Sequence, residues 1–474
     1  MKWSTLLASD RVRGHSNTAG AADLRSEFEK DYHRIIASAS FRRLQDKTQV
    51  FPLDHSDFIR TRLTHSLEVS SIARSLGQNI SRYIMKSIRD PEFDFQMQSD
   101  ICSILQCAGL IHDIGNPPFG HFGETTIRDW FRTRLPSMTF RGRPVTEILT
   151  PWMLQDFYHF EGNAQALRLV TRLHFLVDDN GMNLTYALLN TMITYPVSSL
   201  EIRPDSGNIR EKKPGYFYAD REIFDKIQEA TQTNGCRHPL SYILEAADDI
   251  AYLTADIEDA YRKGFFSYRQ LSEEISSPKV TGRLTDTERE AYLALCEKLT
   301  GKYEDGLRRG VDDPEEYAVS NWIVYAQGYL INCATCGFTE NYDAIMDGSY
   351  TKDLFAGTEG ETLHDVLGDI AFRRVFTTRS IYMTELSAAT VLEHLLDKFM
   401  AAALPYDTDL YMTDVQDKLM TLVSDNYKNV YVKQSGGKSE AEKLYLRILL
   451  ITDYICGMTD SYAHRLYQDL MGII

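Results

Sequence analysis

The sequence predicts an all-α protein whose helices form one large body. Apolar residues recur at three- and four-residue spacing over long stretches, as in residues 101–111, which is typical of amphipathic helices. Strand-like runs are few and short, so we expect at most a small β-hairpin, placed in the Pro- and Gly-containing loop of residues 200–220. With 474 residues, of which 43% are hydrophobic, the chain can bury a large core.

The first helix of chemical interest carries a histidine into the core. His65, Val69, Ile72, Leu76 and Ile80 are spaced by four, three, four and four residues, which places them on one face of an α-helix. That face is apolar apart from His65. The pattern therefore predicts an imidazole at a buried position.

The second helix ends in an adjacent His-Asp pair. The apolar stretch Ile101–Ile111 runs directly into His112 and Asp113, and Gly115 with the two prolines that follow it ends the helix. Buried ionisable groups without a partner are energetically costly. A divalent metal ion is the simplest partner for an imidazole beside a carboxylate.

A third helix carries a polar column. Asp248, Tyr252 and Asp256 are four residues apart and therefore lie on one helix face. Two carboxylates and a phenol are unsuited to a core stripe but suit the wall of a polar pocket. Asp248 is chosen over Asp249 because the column repeats from it.

These three helices together offer a set of metal ligands. Two imidazoles and two carboxylates suit Mn²⁺, Fe²⁺, Co²⁺, Ni²⁺ or Mg²⁺ better than a structural zinc ion, which prefers thiolates. The pair His364–Asp365 follows a polar stretch and opens a helix, so it is not expected to bind metal. The predicted ligands are His65, His112, Asp113 and Asp248.

A histidine and a glutamate just beyond the metal pair are candidates for proton transfer. His121 and Glu124 are three residues apart, so one turn of helix places them on the same side. A neighbouring carboxylate orients an imidazole and raises its pKa, which prepares it to protonate a leaving oxygen or to orient water. The alternative is a hydrogen-bonded pair that only stabilises a helix start.

The charge balance limits the classes of partner. A net charge of −16 disfavours broad electrostatic binding of nucleic acid. An anionic substrate would need local positive charge, and a basic cluster upstream of His65 could supply it, unless it is only a solvated face. The cluster consists of Arg42, Arg43, Lys47, Arg60 and Arg62.

Cysteine usage and hydropathy favour a cytoplasmic protein. The seven cysteines are scattered and odd in number, which suits a reducing compartment. No apolar run approaches the roughly 18 residues of a membrane span, and no secretory signal is recognisable.

Several longer sequence motifs resemble those of the bacterial deoxyguanosine triphosphate triphosphohydrolases. The order His, His-Asp, Asp is the signature of the HD-domain phosphohydrolases, the superfamily that contains them. The resemblance runs from about residue 30 to the C-terminus, except for residues 265–320, which resemble a variable helical insertion. These motifs lie at residues 42–53, 60–66, 112–121, 160–165 and 453–460.

The resemblance implies an HD-domain helical core with additional C-terminal helices. It divides the chain into an N-terminal helical segment with a substrate-contacting motif, a metal-dependent core, a variable helical insertion and a C-terminal helical region packed on the core. These parts correspond to residues 1–60, 61–262, 263–330 and 331–474.

The resemblance also implies an activity. The expected reaction is metal-dependent hydrolysis of a deoxynucleoside triphosphate, with dGTP preferred, to deoxynucleoside and tripolyphosphate. His121 and Glu124 match catalytic positions of the family. The matching substrate positions are Gln49 and Val50 beside the nucleoside, Tyr252 and Asp256 at the deoxyribose, and Arg62 at the triphosphate.

Some family features are absent or open. The family usually has a lysine before a Tyr-Pro pair, where this chain has Thr194, so one triphosphate contact would be missing or supplied elsewhere. Relatives form homo-oligomers, specifically hexamers, which implies the same here. A nucleotide or single-stranded DNA effector remains open.

Two other functions remain open on the sequence alone. One is an HD-type phosphohydrolase or phosphodiesterase that acts on another nucleotide, which the identity of the product would reveal. The other is a regulatory protein that binds nucleotide or single-stranded DNA without turnover.

Overall fold

A computed structural model describes residues 1–14, 23–51, 59–174 and 180–473. Within these ranges the regular structure is helical except for β1 (Thr139–Phe140) and β2 (Arg143–Pro144), which pair antiparallel with Thr139 opposite Pro144. The expected all-α fold is confirmed.

The hairpin lies elsewhere than expected. Arg141 and Gly142 connect its strands with φ angles of 51° and 75°, the conformation of a tight two-residue hairpin turn. Residues 200–220 instead form single 3-10 turns, at Pro204–Ser206, Ile209–Glu211 and Tyr218–Asp220. The prolines of that loop signalled turns correctly, but no flanking strands accompany them.

The N-terminal third of the chain contains the first two helices of the predicted site. The π-turns Ile84–Ile88 and Leu169–Leu173 continue two of its helices. The helices are α1 (Trp3–Leu6), α2 (Glu27–Ile36), α3 (Ala39–Arg43), α4 (Arg62–Tyr83), α5 (Phe95–Ile111), α6 (Gly120–Arg134), α7 (Val145–Ile148), α8 (Pro151–Tyr158) and α9 (Gly162–Arg168).

The central part supplies the third site helix, α12. The π-turn Phe372–Phe376 extends the last helix of this part. The helices are α10 (Tyr186–Met192), α11 (Arg221–Thr231), α12 (Pro239–Arg262), α13 (Tyr268–Ile275), α14 (Pro278–Thr281), α15 (Asp286–Arg309), α16 (Pro314–Glu340), α17 (Tyr342–Asp347) and α18 (Glu361–Ala371).

The C-terminal part is also helical. Its helices are α19 (Arg379–Ala403), α20 (Asp414–Leu422), α21 (Asp425–Ser435), α22 (Glu440–Cys456) and α23 (Asp460–Met471). Among the described helices, none is long and apolar enough to cross a membrane.

The three site helices begin at residues that commonly cap or open helices. The Thr61 hydroxyl accepts the Thr64 amide at the start of α4, and the Asp94 carboxylate accepts the Met97 amide at the start of α5. Pro239 opens α12 at the first helical position, where its missing N–H is no loss.

Two hydrophobic cores meet at the predicted site. The first core includes apolar faces of α4, α5, α10, α12, α16 and α18, and the second those of α6, α8, α19, α22 and α23. The chain passes from the first core at Ile114 to the second at Phe119. The turn between these residues therefore separates the His-Asp pair from the His121–Glu124 pair. The four-part division of the chain stays a prediction.

Candidate active site

Ligand atoms from α4, α5 and α12 converge at one point. His65, His112 and Asp113 each offer an atom, and these atoms lie within 4.8 Å of one another. Oδ1 of Asp248 lies 3.0 Å from Nε2 of His65 and 3.3 Å from Nε2 of His112. The structure thus brings all four predicted ligands together.

His112 is oriented by the end of its own helix. Its Nδ1 lies 2.8 Å from the Gly109 carbonyl oxygen, so the ring can donate there and present Nε2 to the cluster. Among the described residues, no group satisfies the hydrogen-bond geometry of this buried Nε2. A buried imidazole nitrogen facing two carboxylates fits a site for a cation.

Asp113 is held by two side chains. Asn116 Nδ2 donates to Oδ1 of Asp113 at 2.7 Å, and the Arg62 guanidinium forms an ion pair with Oδ2. The Arg62 side chain is only 1% exposed. Arg62 therefore orients a predicted metal ligand in this structure, while its predicted contact with triphosphate stays a proposal.

The titration of these groups reflects their mutual attraction. Burial lowers the pKa of His112, but Asp113 and Asp248 outweigh it and raise the pKa to about 9. Burial raises the pKa of Asp113, but Arg62 and His112 bring it to about 2. Burial likewise opposes the ionisation of Asp248, and the two histidines hold its pKa well below the usual value. The carboxylates are thus anionic and suited to bind a divalent ion.

His121 and Glu124 form the predicted pair in the first turn of α6. Nδ1 of His121 lies 3.2 Å from Oε2 of Glu124, and the carboxylate raises the pKa of the imidazole. Glu124 is buried and accepts the Gly162 amide at 2.9 Å through Oε1. His121 is 70% exposed, so its ring can reach a ligand.

Gly162 lets the two halves of the site approach each other. A Cβ atom at this position would collide with Oδ1 of Asn116 and with Oε1 of Glu124. Because glycine has no side chain, the Asn116 amide group, which orients Asp113, can lie beside the Glu124 carboxylate, which orients His121.

We expect Gly162→Ala to destabilise the protein by roughly 1–3 kcal/mol because the methyl group overpacks a closed site. Denaturant unfolding would measure this. Gly328→Ala is the matched control, because Gly328 lies inside α16 and, apart from its own helix backbone, no described residue comes within 4 Å of the added Cβ; it should stabilise by about 1 kcal/mol. Equal stability of the two variants would contradict the close approach.

The predicted column on α12 continues from the cluster. The ring of Tyr252 stacks on that of Phe376, with centroids 6.3 Å apart, and burial and Asp256 raise the pKa of its phenol. Asp256 is 2% exposed, and its Oδ2 lacks a hydrogen-bond partner within the described ranges. An unpaired buried acceptor one turn beyond a phenol suits a ligand hydroxyl.

Gln49 and Val50 lie before α4. Thr48 pairs with Thr61 in a β-bridge, so the segment runs beside the helix start that carries Arg62. Oε1 of Gln49 is buried and, in the described part of the chain, has no hydrogen-bond partner. Val50 is half-buried against the first core.

Comparison with known proteins places the chain. A deoxyguanosinetriphosphate triphosphohydrolase-like protein of Listeria monocytogenes is 46% identical, with 100% of both chains covered. The chain belongs to the deoxyguanosinetriphosphate triphosphohydrolase family. Proteins named deoxyguanosinetriphosphate triphosphohydrolase from Serratia proteamaculans and Yersinia enterocolitica are 33% and 34% identical over at least 94% of each chain. The HD domain model matches residues 62–184. The resemblance noted in the sequence, and membership of a family of hydrolases, are thus confirmed.

In this triphosphohydrolase family member, the basic residues upstream of His65 do not form the cluster that the sequence predicts. Arg60 binds Glu68, Glu258 and Asp259. Lys47 is buried, and its ammonium donates to the carbonyl oxygens of Asn116 and Cys456, at 2.5 and 2.7 Å. Arg42 and Arg43 are exposed and donate to the carbonyl oxygens of Ala37 and Gly457. Of the five residues, only Arg62 contacts the metal cluster within the described ranges.

Three residues beside the site were not predicted. Lys213 lies 2.9 Å from Glu161, and Arg128 lies 3.5 Å from Glu161 and 4.0 Å from Glu124. The third is Phe376, whose ring stacks on that of Tyr252. Lys213 and Phe376 lie far along the chain from their partners, and only the motif at residues 160–165, which contains Glu161, pointed to this region.

His364 stays outside the metal cluster. Its Nε2 lies 3.6 Å from Asp249, and its ring stacks on Phe355. Asp249 thus faces a different neighbour from Asp248, in accord with the choice of Asp248 from the helical spacing.

Proposed function

We propose that the protein hydrolyses deoxynucleoside triphosphates, with dGTP preferred, to deoxynucleoside and tripolyphosphate. The observation that carries the proposal is the convergence of two imidazoles and two carboxylates beside the His121–Glu124 pair, in a member of the triphosphohydrolase family. Relatives whose names state this activity with dGTP support the choice of substrate.

His65, His112, Asp113 and Asp248 would hold the metal. A divalent ion there, such as Mn²⁺, Mg²⁺, Fe²⁺, Co²⁺ or Ni²⁺, would supply Lewis-acid polarisation of the α-phosphate and of water. Arg62 would keep Asp113 aligned and contribute positive charge to the triphosphate. Lys213, paired with Glu161 beside Glu124, is the cation that could replace the family lysine absent at Thr194.

His121 would move the proton. Hydrolysis at the α-phosphorus leaves an oxygen that must gain a proton, and an imidazolium can donate it from Nε2 while Nδ1 donates to Glu124. The high exposure of His121 gives the substrate access to this nitrogen. Glu124, fixed by the Gly162 amide, would keep the ring in orientation.

The α12 column would recognise the sugar. Asp248 holds the metal, so Tyr252 lies one turn from the α-phosphate and its ring, backed by Phe376, would close the space beside C2′. Asp256 and Gln49 each have a buried oxygen available for the 3′-hydroxyl. Val50 would lie beside the nucleoside.

We expect a preference for dGTP over GTP, and we expect Tyr252→Ala to weaken that preference more than it weakens metal binding, because a wall excludes an added hydroxyl by sterics. The measurement is kcat/KM for both nucleotides on both proteins, with metal content measured in parallel. Equal kcat/KM values for dGTP and GTP on the wild type would contradict the sugar pocket.

Product analysis tests the reaction itself. The purified protein is incubated with each dNTP under Mg²⁺, Mn²⁺ and Co²⁺, and products are separated by chromatography. Tripolyphosphate and deoxynucleoside support the proposal. Pyrophosphate and a monophosphate would indicate another HD-type phosphohydrolase. Binding without turnover under every metal would indicate a regulatory protein.

We further propose that the protein assembles into a homo-oligomer, a hexamer by family resemblance, and that a nucleotide or single-stranded DNA acts as an effector.

A further inference from the structure

Asp460, at the start of α23, is buried and binds two distant segments. Its Oδ1 accepts the Phe119 amide at 2.9 Å, and its Oδ2 accepts the Thr48 amide at 3.0 Å and the Thr48 hydroxyl. The residue is 2% exposed. Both carboxylate oxygens are thus used across the fold, while Thr459 caps the helix itself.

One of these segments directly precedes α6, the helix that carries His121. Phe119 directly precedes α6 and has a φ angle of 64°, a left-handed conformation that costs a non-glycine residue about 1–2 kcal/mol. The bond from its amide to Asp460 holds this unfavourable conformation. His121 follows two residues later, so the direction of its side chain depends on the backbone at Phe119.

The other segment runs beside the start of α4. Thr48 pairs with Thr61, the residue that caps α4, and the Lys47 carbonyl oxygen accepts the Arg62 amide at 3.0 Å. Gln49, a proposed sugar contact, follows Thr48 directly. A single carboxylate therefore connects the start of α4 with the start of α6.

We propose that Asp460 is a positioning residue that sets the placement of His121 relative to the metal cluster. The proposal rests on the function proposed above, because it assigns Asp460 an effect on the proton transfer by His121. It acts through the backbone, and its hydrogen bonds to described residues go to Phe119 and Thr48 rather than to a proposed metal ligand, so metal binding should not depend on it.

The test is a double-mutant cycle with Asp460→Asn and His121→Ala. Asparagine keeps the volume but replaces one acceptor oxygen by an amide group that faces N–H donors. We expect Asp460→Asn to lower kcat roughly 10- to 100-fold, the range for misplaced catalytic groups, with unchanged metal content. In the His121→Ala background the same change should alter kcat by no more than about twofold.

Asp469→Asn is the matched control, because Asp469 is exposed in the last turn of the same helix. It should leave kcat unchanged. Equal fractional losses from Asp460→Asn in the two backgrounds, loss of metal, or wild-type kcat would each overturn the inference. If Asp460→Asn does not fold, Thr48→Val removes only the hydroxyl bond. It should lower kcat in the wild type and not with His121→Ala, and equal effects would again overturn it.

The cycle separates the two proposals. Full kcat in His121→Ala would overturn the proposed proton role and this inference with it. A low kcat in His121→Ala with wild-type kcat in Asp460→Asn would refute only the role of Asp460.

Discussion

Replacing His112 by alanine should abolish both metal binding and hydrolysis. Its Nε2 is buried 3.3 Å from Asp248 without a hydrogen bond in the described residues, so alanine removes one of the proposed metal-binding atoms and leaves the carboxylate without it. We expect kcat/KM to fall by roughly 10³-fold or more, because a bound cation supplies several kcal/mol of charge stabilisation. Metal analysis of the purified variant and product chromatography measure the two effects.

The second His-Asp pair provides the control. His364 also precedes an aspartate, but it lies against Asp249 and Phe355. His364→Ala should keep activity near that of the wild type. Unchanged metal content and activity in His112→Ala, or loss of metal in His364→Ala, would show that the metal site has been assigned to the wrong pair.

His121→Ala should retain metal and bind substrate but lower kcat by roughly 10²–10⁴-fold, the usual range for removal of a general acid or base. The side chain is exposed beside the cluster and paired with a buried carboxylate, so its loss removes a proton donor without opening the core. Steady-state kinetics with metal analysis separates kcat from KM and from metal loss. An unchanged kcat would reduce His121 to a structural role.

The pH profile adds a second measurement of the same pair. Glu124 raises the pKa of His121, so the imidazolium persists to higher pH. An acid acts in its protonated form, and kcat should therefore fall as the pH rises through that pKa. Glu124→Gln removes the negative charge, and the fall should move to lower pH. A shift to higher pH would contradict the acid role.

Helical periodicity was enough to predict which faces of α4 and α12 carry the site residues, while their convergence was inferred from the chemistry of the side chains and from the family resemblance. His65 was recognised because four apolar residues share its face, and all of them are buried in α4. Asp248 and Asp256 were recognised because Tyr252 lies midway between them, and all three lie on α12. Such patterns are local, so they can be recognised in a single sequence.

The partners of the charged side chains could not be predicted in the same way. Arg60 and Arg62 are two residues apart, yet one binds a carboxylate cluster on α12 and the other a predicted metal ligand. Side chains two apart in sequence point in different directions at a helix start, and their partners lie on other helices. Phe376 and Lys213 could not be predicted for the same reason, because their partners Tyr252 and Glu161 lie on distant parts of the chain.

The buried ammonium of Lys47 has a consequence for how the protein is made. It connects Asn116, in the turn after the His-Asp pair, to Cys456, which is 409 residues further along the chain than Lys47. Chains emerge from the ribosome N-terminus first, and early segments begin to fold before later ones exist. The turn that follows the His-Asp pair therefore lacks this contact until Cys456 has been synthesised. We therefore expect this turn to reach its final placement, and activity to appear, only after α22 has docked against Lys47.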